Sequence, residues 1–348
     1  RSLVLAPLSF LPFFLLRTGF INPDGQHHPS KIMSDVPRRG AHMMHDELWE
    51  LYLHSRFWYY TNTFFDWTVT YSYQVMSAAA GVVFVWLLLR HCRNVERAQA
   101  LVLAALVLSG GYVQLFFGDV ENYTLTAVWI LGYFMAAHAH LVGRRSLSWP
   151  SVVLALAMTF HLQAGFLGPS LAYLHLRAIH NRDFAAVRMG SLLFVAVLAG
   201  TLLLFHYLGH SITLLPYCMG LRDGPSVWMS PGSVDYHLQQ LSLLTLLSPC
   251  WVLLIPLLIF RRIRPEPVHI HLAVAVVCLL LYQGLWRARL GVYNDWNLYA
   301  CVAIPMSLLV WQALLAARDL PARIPIAIGA FGICALHSYS WILGNHAL

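Results

Sequence analysis

The chain has 348 residues, of which 59% are hydrophobic and only 11% are charged, and its mean hydropathy is +0.62. Soluble domains carry about 25% charged residues, so a water-soluble globule is excluded and a polytopic membrane protein is expected. The net charge of +7 belongs to arginine-rich loops between apolar runs and does not point to a nucleic-acid partner.

Backbone polar groups must be satisfied inside each crossing, so the expected fold is all-α, a single transmembrane domain over 1–348. Runs of about twenty apolar residues span a bilayer as helices. On that basis crossings fall near 3–20, 69–89, 98–117, 123–142, 150–163, 164–176, 186–208, 240–260, 268–286, 298–316 and 324–343, ten or eleven segments in all. The first residue is arginine rather than methionine, which points to a truncated start. No small-residue cleavage site follows the run after it, so that run is expected to stay as a membrane helix. The six cysteines are scattered without a CxxC and indicate neither a redox compartment nor a metal motif.

In chain order, a long loop at 21–68 follows the first helix. It opens with "NPDGQHH", containing Asp24, and closes with "HDELWELYLHSRFWYY", containing Asp46 and Glu47. In the latter string Leu48, Leu51, Tyr52, Ser55 and Tyr59 recur near helical spacing, with Asp46, Glu47, Glu50 and His54 opposite. That pattern predicts a helix lying in the membrane interface.

Basic loops then recur at RHCRNVER (90–97), GRRS (143–146), RRIRPEP (261–267) and RDLPAR (318–323), and they are expected on the cytoplasmic side. A single crossing at 150–176 would put RRIRPEP outside. That stretch carries His161, Gln163 and a Gly-Pro at its middle, so it is expected to break into two short segments. The inner face then holds 14 Lys/Arg and 4 Asp/Glu, net +10, and the outer face 8 and 11, net −3. Most carboxylates share the outer face, and a second outer loop spans 209–239.

Four groups converge there. Asp24 is placed to accept a proton from a hydroxyl substrate, although an Asp-Gly turn accounts for it equally. The turn "GDVENY" sets Asp119, Glu121, Asn122 and Tyr123 between two crossings. Helix capping explains one of its acids but not the set, and acids at the membrane edge are candidates for function. His161 and Gln163 lie at the helix break, where a histidine is more often a satisfied core residue, and Asp235 and His237 precede the crossing at 240–260. Last, "WRARLGVYNDWNLYA" places Arg287, Arg289 and Asp295 outside. Arginines there suit a phosphate, and snorkelling to membrane lipids is the ordinary alternative. His27, His28, His42 and His45 share the first loop without any metal-ligand spacing. They leave a divalent metal open, and no other cofactor is expected.

With these residues in place the chain resembles the GT-C class of integral-membrane glycosyltransferases. It looks similar to bacterial members grouped with the glycosyltransferase 39 family and the dolichyl-phosphate-mannose mannosyltransferases. The resemblance rests on Asp24 in "PDG", the long first loop with its interfacial helix, "FFGDVENYTL", "FHLQAGFLGPSLAYL", "HLQQLSLLTLLSP" and "NDWNLYA". It implies a polyprenyl-phosphate sugar donor and transfer to a glycan, lipid or protein hydroxyl. The site would lie on the outward face of a bacterial inner membrane. Asp24 would be the catalytic acid, with Asp46 and Glu47 as a second candidate pair. Asp119, Glu121, Asn122, Tyr123, His161, Gln163, His237, Arg287, Arg289 and Asp295 would contact substrate. The first loop here is basic and histidine-rich, and no soluble C-terminal domain is present in this chain, which departs from the family pattern. A secondary transporter or flippase, a membrane O-acyltransferase and a non-catalytic subunit are the rival readings. The one-sided clustering of acids and the lack of an internal repeat favour transfer chemistry over transport.

Overall fold

The computed structural model describes residues 6–19, 21, 26, 47–209, 233–259, 265–285, 292–317 and 323–347, and every regular element among them is helical. Five helices are long and apolar enough to cross a membrane, or six if one bent pair counts as a span, among the described residues.

Helix α1 (Phe10–Leu15) precedes the first loop, and α2 (Leu48–Phe65) closes that loop. Helix α3 (Val69–Cys92) starts where the Thr68 hydroxyl accepts from the Tyr71 amide at 3.2 Å. It ends in Arg90 and His91, which suit the negative end of the helix dipole. After α4 (Arg97–Leu108) comes a 3₁₀ turn at Gly111–Phe116, then α5 (Thr124–Leu141). Helices α6 (Ser148–Phe160) and α7 (Gly168–His180) flank a second 3₁₀ turn, Leu162–Leu167. Helix α8 (Phe184–Tyr207) is capped by Asp183, whose carboxylate accepts from the Ala186 amide at 3.0 Å. Then follow α9 (Val234–Leu247), α10 (Leu254–Ile259), α11 (Pro267–Leu285), α12 (Trp296–Ala300), α13 (Ala303–Ala316) and α14 (Arg323–Ala347).

Helices stand at most of the expected runs, but among the described residues only five or six are long enough to cross, and two runs are not straight. The run expected as one helix over 98–117 stops at Leu108. The reason is close packing: a Cβ at Gly110 would lie 2.7 Å from the Leu247 carbonyl oxygen, and one at Gly111 still closer to that of Leu246. The run at 240–260 bends by 98° at Ser248–Pro249, where proline ends α9. The break expected inside 150–176 is there, at His161.

Burial separates the spans sharply. In α8 only Gly190, Thr201 and Phe205 are buried, while Leu192, Val195 and Leu203 are exposed. An apolar helix exposed on most sides is lipid-facing. Helix α13 is the opposite case, buried along nearly its whole length between α4, α11 and the turns beside them. Around it Tyr112, Tyr133, Tyr299, Phe84 and Phe116 are fully buried. Their hydroxyls are matched as burial requires: that of Tyr112 donates to the Val107 carbonyl at 2.6 Å, and that of Tyr133 lies 2.7 Å from the Ser170 hydroxyl.

The polar stripe of α2 is buried along with its leucines: Glu50 and His54 are 0% and 1% exposed, while Tyr59, Tyr60, Phe64 and Phe65 are exposed. The reason is that the polar side chains meet polar partners on α3 and α5, which outweighs the amphipathic pattern read along α2 alone.

Candidate active site

A small apolar cluster first fixes α2 in place. Leu48 and Leu51 pack with Val69 and Tyr73 of α3, Val120 of the "GDVENY" turn and Phe205 of α8. Helix α2 is thereby pressed onto the turn, and its acids come inward with it.

Glu50 is the deeper acid. One carboxylate oxygen accepts from the Leu125 amide at 2.9 Å and the Thr124 hydroxyl at 3.3 Å. The other accepts from the Thr126 amide at 3.1 Å and its hydroxyl at 3.3 Å. These amides belong to the first turn of α5, whose donors have no intrahelical partners, so a side chain 75 residues upstream caps the helix. Burial lifts the Glu50 carboxyl from the usual 4.5 to about 7, against the opposing pull of the Leu125 amide. His54, one turn on, donates its Nδ1–H to the Glu50 carbonyl oxygen (2.8 Å) and stacks on Tyr73 with ring centroids 4.0 Å apart.

Glu47 stands at the start of α2 and is 6% exposed. Its Oε2 accepts from the Asn122 side-chain amide at 2.7 Å, and Asn122 Oδ1 accepts from the Tyr73 hydroxyl at 2.9 Å. Its Oε1 lies 3.6 Å from His161 Nε2. The break after α6 determines that last contact. His161 adopts extended backbone there, and its Nδ1 accepts from the Gln163 amide at 3.1 Å. With Nδ1 used as acceptor, the ring proton sits on Nε2, facing the carboxylate. Tyr123 lies against the same ring at 4.8 Å. First loop, acidic turn and helix break thus meet at one carboxylate.

The acidic turn is held by Gly118, which has a φ of 74° and donates its amide to the Ser77 hydroxyl at 3.1 Å. A φ in this range favours glycine. Asp119 and Glu121 are both buried. Burial, and then the neighbouring Glu121, push the Asp119 carboxyl well above the usual carboxylate range, favouring its protonated, donating form. Asn297 approaches Asp119 without completing a hydrogen bond, and Asp119 Oδ2 has no partner among the described residues.

Gln163 extends the polar region by donating to the Leu298 carbonyl, beside Asn297. Beyond it Gln240 donates to the Tyr236 hydroxyl at 2.8 Å, and Gln283 donates to the Gln240 carbonyl at 3.1 Å. The side-chain oxygens of Gln163, Gln240 and Gln283 are buried without a partner among the described residues. Acceptors of that kind suit a ligand rich in hydroxyl groups.

Of the residues singled out in the sequence, Glu47, Asn122, Tyr123, His161 and Gln163 come together here, with Asp119 and Glu121 on the adjoining turn. Asp295 is half-buried at the start of α12. His237 is exposed and is not brought to the cluster; its neighbours Tyr236 and Gln240 face inward instead. Asp24, Asp46, Arg287 and Arg289 lie outside the described residues. Among those described, no three His, Cys, Asp or Glu side chains assemble as a metal-binding group. Sequence reasoning set Glu50 and His54 on a polar stripe without giving them a role, and it missed Tyr73, Thr124 and Thr126. The i, i+4 pair Glu50–His54 was the available signal, since two polar groups one turn apart mark a face that either meets water or meets partners.

No protein family matches the sequence, and no curated protein does. Among solved structures the fold is similar to the crystal structure of ArnT from Cupriavidus metallidurans bound to undecaprenyl phosphate, with a TM-score of 0.64 at 13% identity. The match covers 96% of this chain and 63% of that one, so the chain spans less than two thirds of the ArnT chain. The aligned region takes in nearly the whole chain, which shares the GT-C fold of that structure.

Proposed function

We propose that the chain transfers a sugar from a polyprenyl-phosphate donor to an acceptor hydroxyl at the outer face of the membrane. A carboxylate of the first loop takes the acceptor proton while its oxygen attacks the anomeric carbon. The bond from that carbon to the phosphate oxygen breaks, and the phosphate leaves with the electron pair. A single displacement inverts the anomeric centre and needs only one base. The base is drawn from Asp24, Asp46 and Glu47. Arg287 and Arg289 are assigned to the leaving phosphate, where positive charge lowers the barrier as negative charge develops. Asp119, Glu121 and the glutamines would hold sugar hydroxyls.

The observation that carries this proposal is the convergence on Glu47. Its two oxygens meet Asn122 at 2.7 Å and His161 at 3.6 Å, so three stretches far apart in sequence frame one carboxylate. Undecaprenyl phosphate in the ArnT structure supports a donor of that chemical class. The test is turnover of lipid-linked sugars by the purified chain, followed as release of polyprenyl phosphate. Replacing the base by its amide should lower turnover by about 10²–10⁴-fold. Unchanged turnover in Asp24→Asn, Asp46→Asn and Glu47→Gln alike would sink the proposal.

A further inference from the structure

The break after α6 holds a histidine whose two ring nitrogens have different tasks. Helix α6 ends at Phe160, and His161 turns to extended backbone with φ −149° and ψ 127°. Its Nδ1 accepts from the Gln163 amide at 3.1 Å and so caps the 3₁₀ turn that follows. Its Nε2 stands 3.6 Å from Glu47 Oε1. Both side chains are buried, where the direction in which a donor points carries more weight than it does in water.

The Gln163 amide decides where the ring proton sits. With Nδ1 accepting, the proton is on Nε2 and faces the carboxylate. A further proton could enter only at Nδ1, on the side away from Glu47 and against the Gln163 N–H. The ring can therefore donate to Glu47 but cannot take up a proton that Glu47 receives. The second oxygen is held in a similar way. Asn122 donates its side-chain amide to Oε2 at 2.7 Å, and its own Oδ1 accepts from the Tyr73 hydroxyl at 2.9 Å, which fixes which end of the amide faces Glu47. A carboxylate offers about four lone-pair sites, so two donors can hold it without ending its use as a base. The other titratable groups close by are Glu50 on the same helix, Tyr73 on α3 behind Asn122, and Glu121 next to Asn122 in the turn.

We propose that His161 is a positioning residue for glycosyl transfer: its Nε2–H, aimed by the Gln163 amide, holds Glu47 Oε1 and favours the ionised carboxylate. The inference rests on the reading that a first-loop carboxylate is the base, and it selects Glu47 among the three candidates. A donor that bonds the charged form of an acid makes that form easier to reach, so Glu47 is ready to accept a proton at lower pH than it would be alone. At 3.6 Å the contact is longer than a formed hydrogen bond. Catalytic hydrogen bonds are often long before substrate binds and tighten in the complex.

Two variants separate positioning from capping. His161→Asn keeps an acceptor near Nδ1 for the Gln163 amide and has nothing at Nε2, whereas His161→Gln carries an N–H near Nε2 and loses the cap. Turnover of a polyprenyl-phosphate sugar by the full chain in detergent should fall about tenfold or more in His161→Asn, the scale of one charge-assisted hydrogen bond. The acid limb of its kcat/KM profile should move up by about one pH unit, which is the same factor. His161→Gln should keep that limb where the parent chain has it, with a lower unfolding midpoint. A role in the fold alone gives the reverse, normal turnover in His161→Asn and loss in His161→Gln, and that result would overturn the proposal. Turnover lost in Asp24→Asn but intact in Glu47→Gln would also overturn it and leave the transfer reaction standing. Nitrogen NMR of the histidine-labelled chain, with His161 identified by its loss in His161→Asn, needs no turnover. A proton on Nε2 is expected, and a proton on Nδ1 alone overturns the proposal. A parent chain that turns over no lipid-linked sugar would end both proposals.

Discussion

The two ends of α3 and α5 make opposite use of polar residues. At one end Glu47, Glu50, Asn122 and Tyr73 are buried, and their hydrogen bonds run between segments far apart in the chain. At the other, His91, His138 and His271 line a half-open cavity, the first two with their rings 4.9 Å apart. Both groups lie at ends of the same two helices, the first reaching them from α2. Glu47, Glu50, Asn122 and Tyr73 are tied into the fold because each is buried with a partner.

That contrast breaks most readily at Glu50. Replacing it with alanine strips the Leu125 and Thr126 amides of their acceptor in a buried setting. The expected cost is about 2–6 kcal/mol, from roughly 1–3 for each unmet donor. Thermal unfolding and protease cleavage across 47–65 will show it, and an unchanged midpoint would mean the clasp contributes nothing.

A smaller effect comes from pH. The carboxyl of Glu50 is raised by burial to about 7 in the folded chain, so the fold favours its protonated form. Its contribution is fully present below the ordinary value of 4.5 and is lost as pH rises through 7. The total is on the order of 3 kcal/mol, taking 1.36 kcal/mol per pH unit. Unfolding midpoints should fall across that window and flatten in Glu50→Gln. A midpoint that rises with pH would show the four donors outweighing burial.

The smallest effect is expected at Tyr73→Phe, which removes a single hydroxyl from Asn122. About 0.5–1.5 kcal/mol should be lost, along with up to about tenfold in turnover as Asn122 loosens its hold on Glu47. A larger loss of turnover than of stability would identify the tyrosine as a positioning residue for the carboxylate.

Much of this was legible from the residues. Long apolar runs and arginine-rich loops give the crossings and the partition of charge, because the bilayer leaves a helix no other choice. The break at His161 was readable from polar and helix-breaking residues inside an apolar run, and the acidic turn from charges between two such runs. The inward face of α2 was not. Periodicity along one helix reports that two faces differ, yet which face is buried depends on donors at Thr124–Thr126, 75 residues away. Tyr73 was hidden for the same reason, as an aromatic in an apolar helix reads as packing. The end of α4 at Leu108 depends on carbonyl groups of Leu246 and Leu247 that no local pattern announces.

The distance in sequence across the Glu50 clasp also sets an order of events. During synthesis α2 emerges well before α5, so its carboxylates must stay hydrated until α3 and α5 have both been inserted. The clasp therefore closes only after α5 is made, and a chain arrested before Thr124 would have α3 and α4 beside an undocked α2.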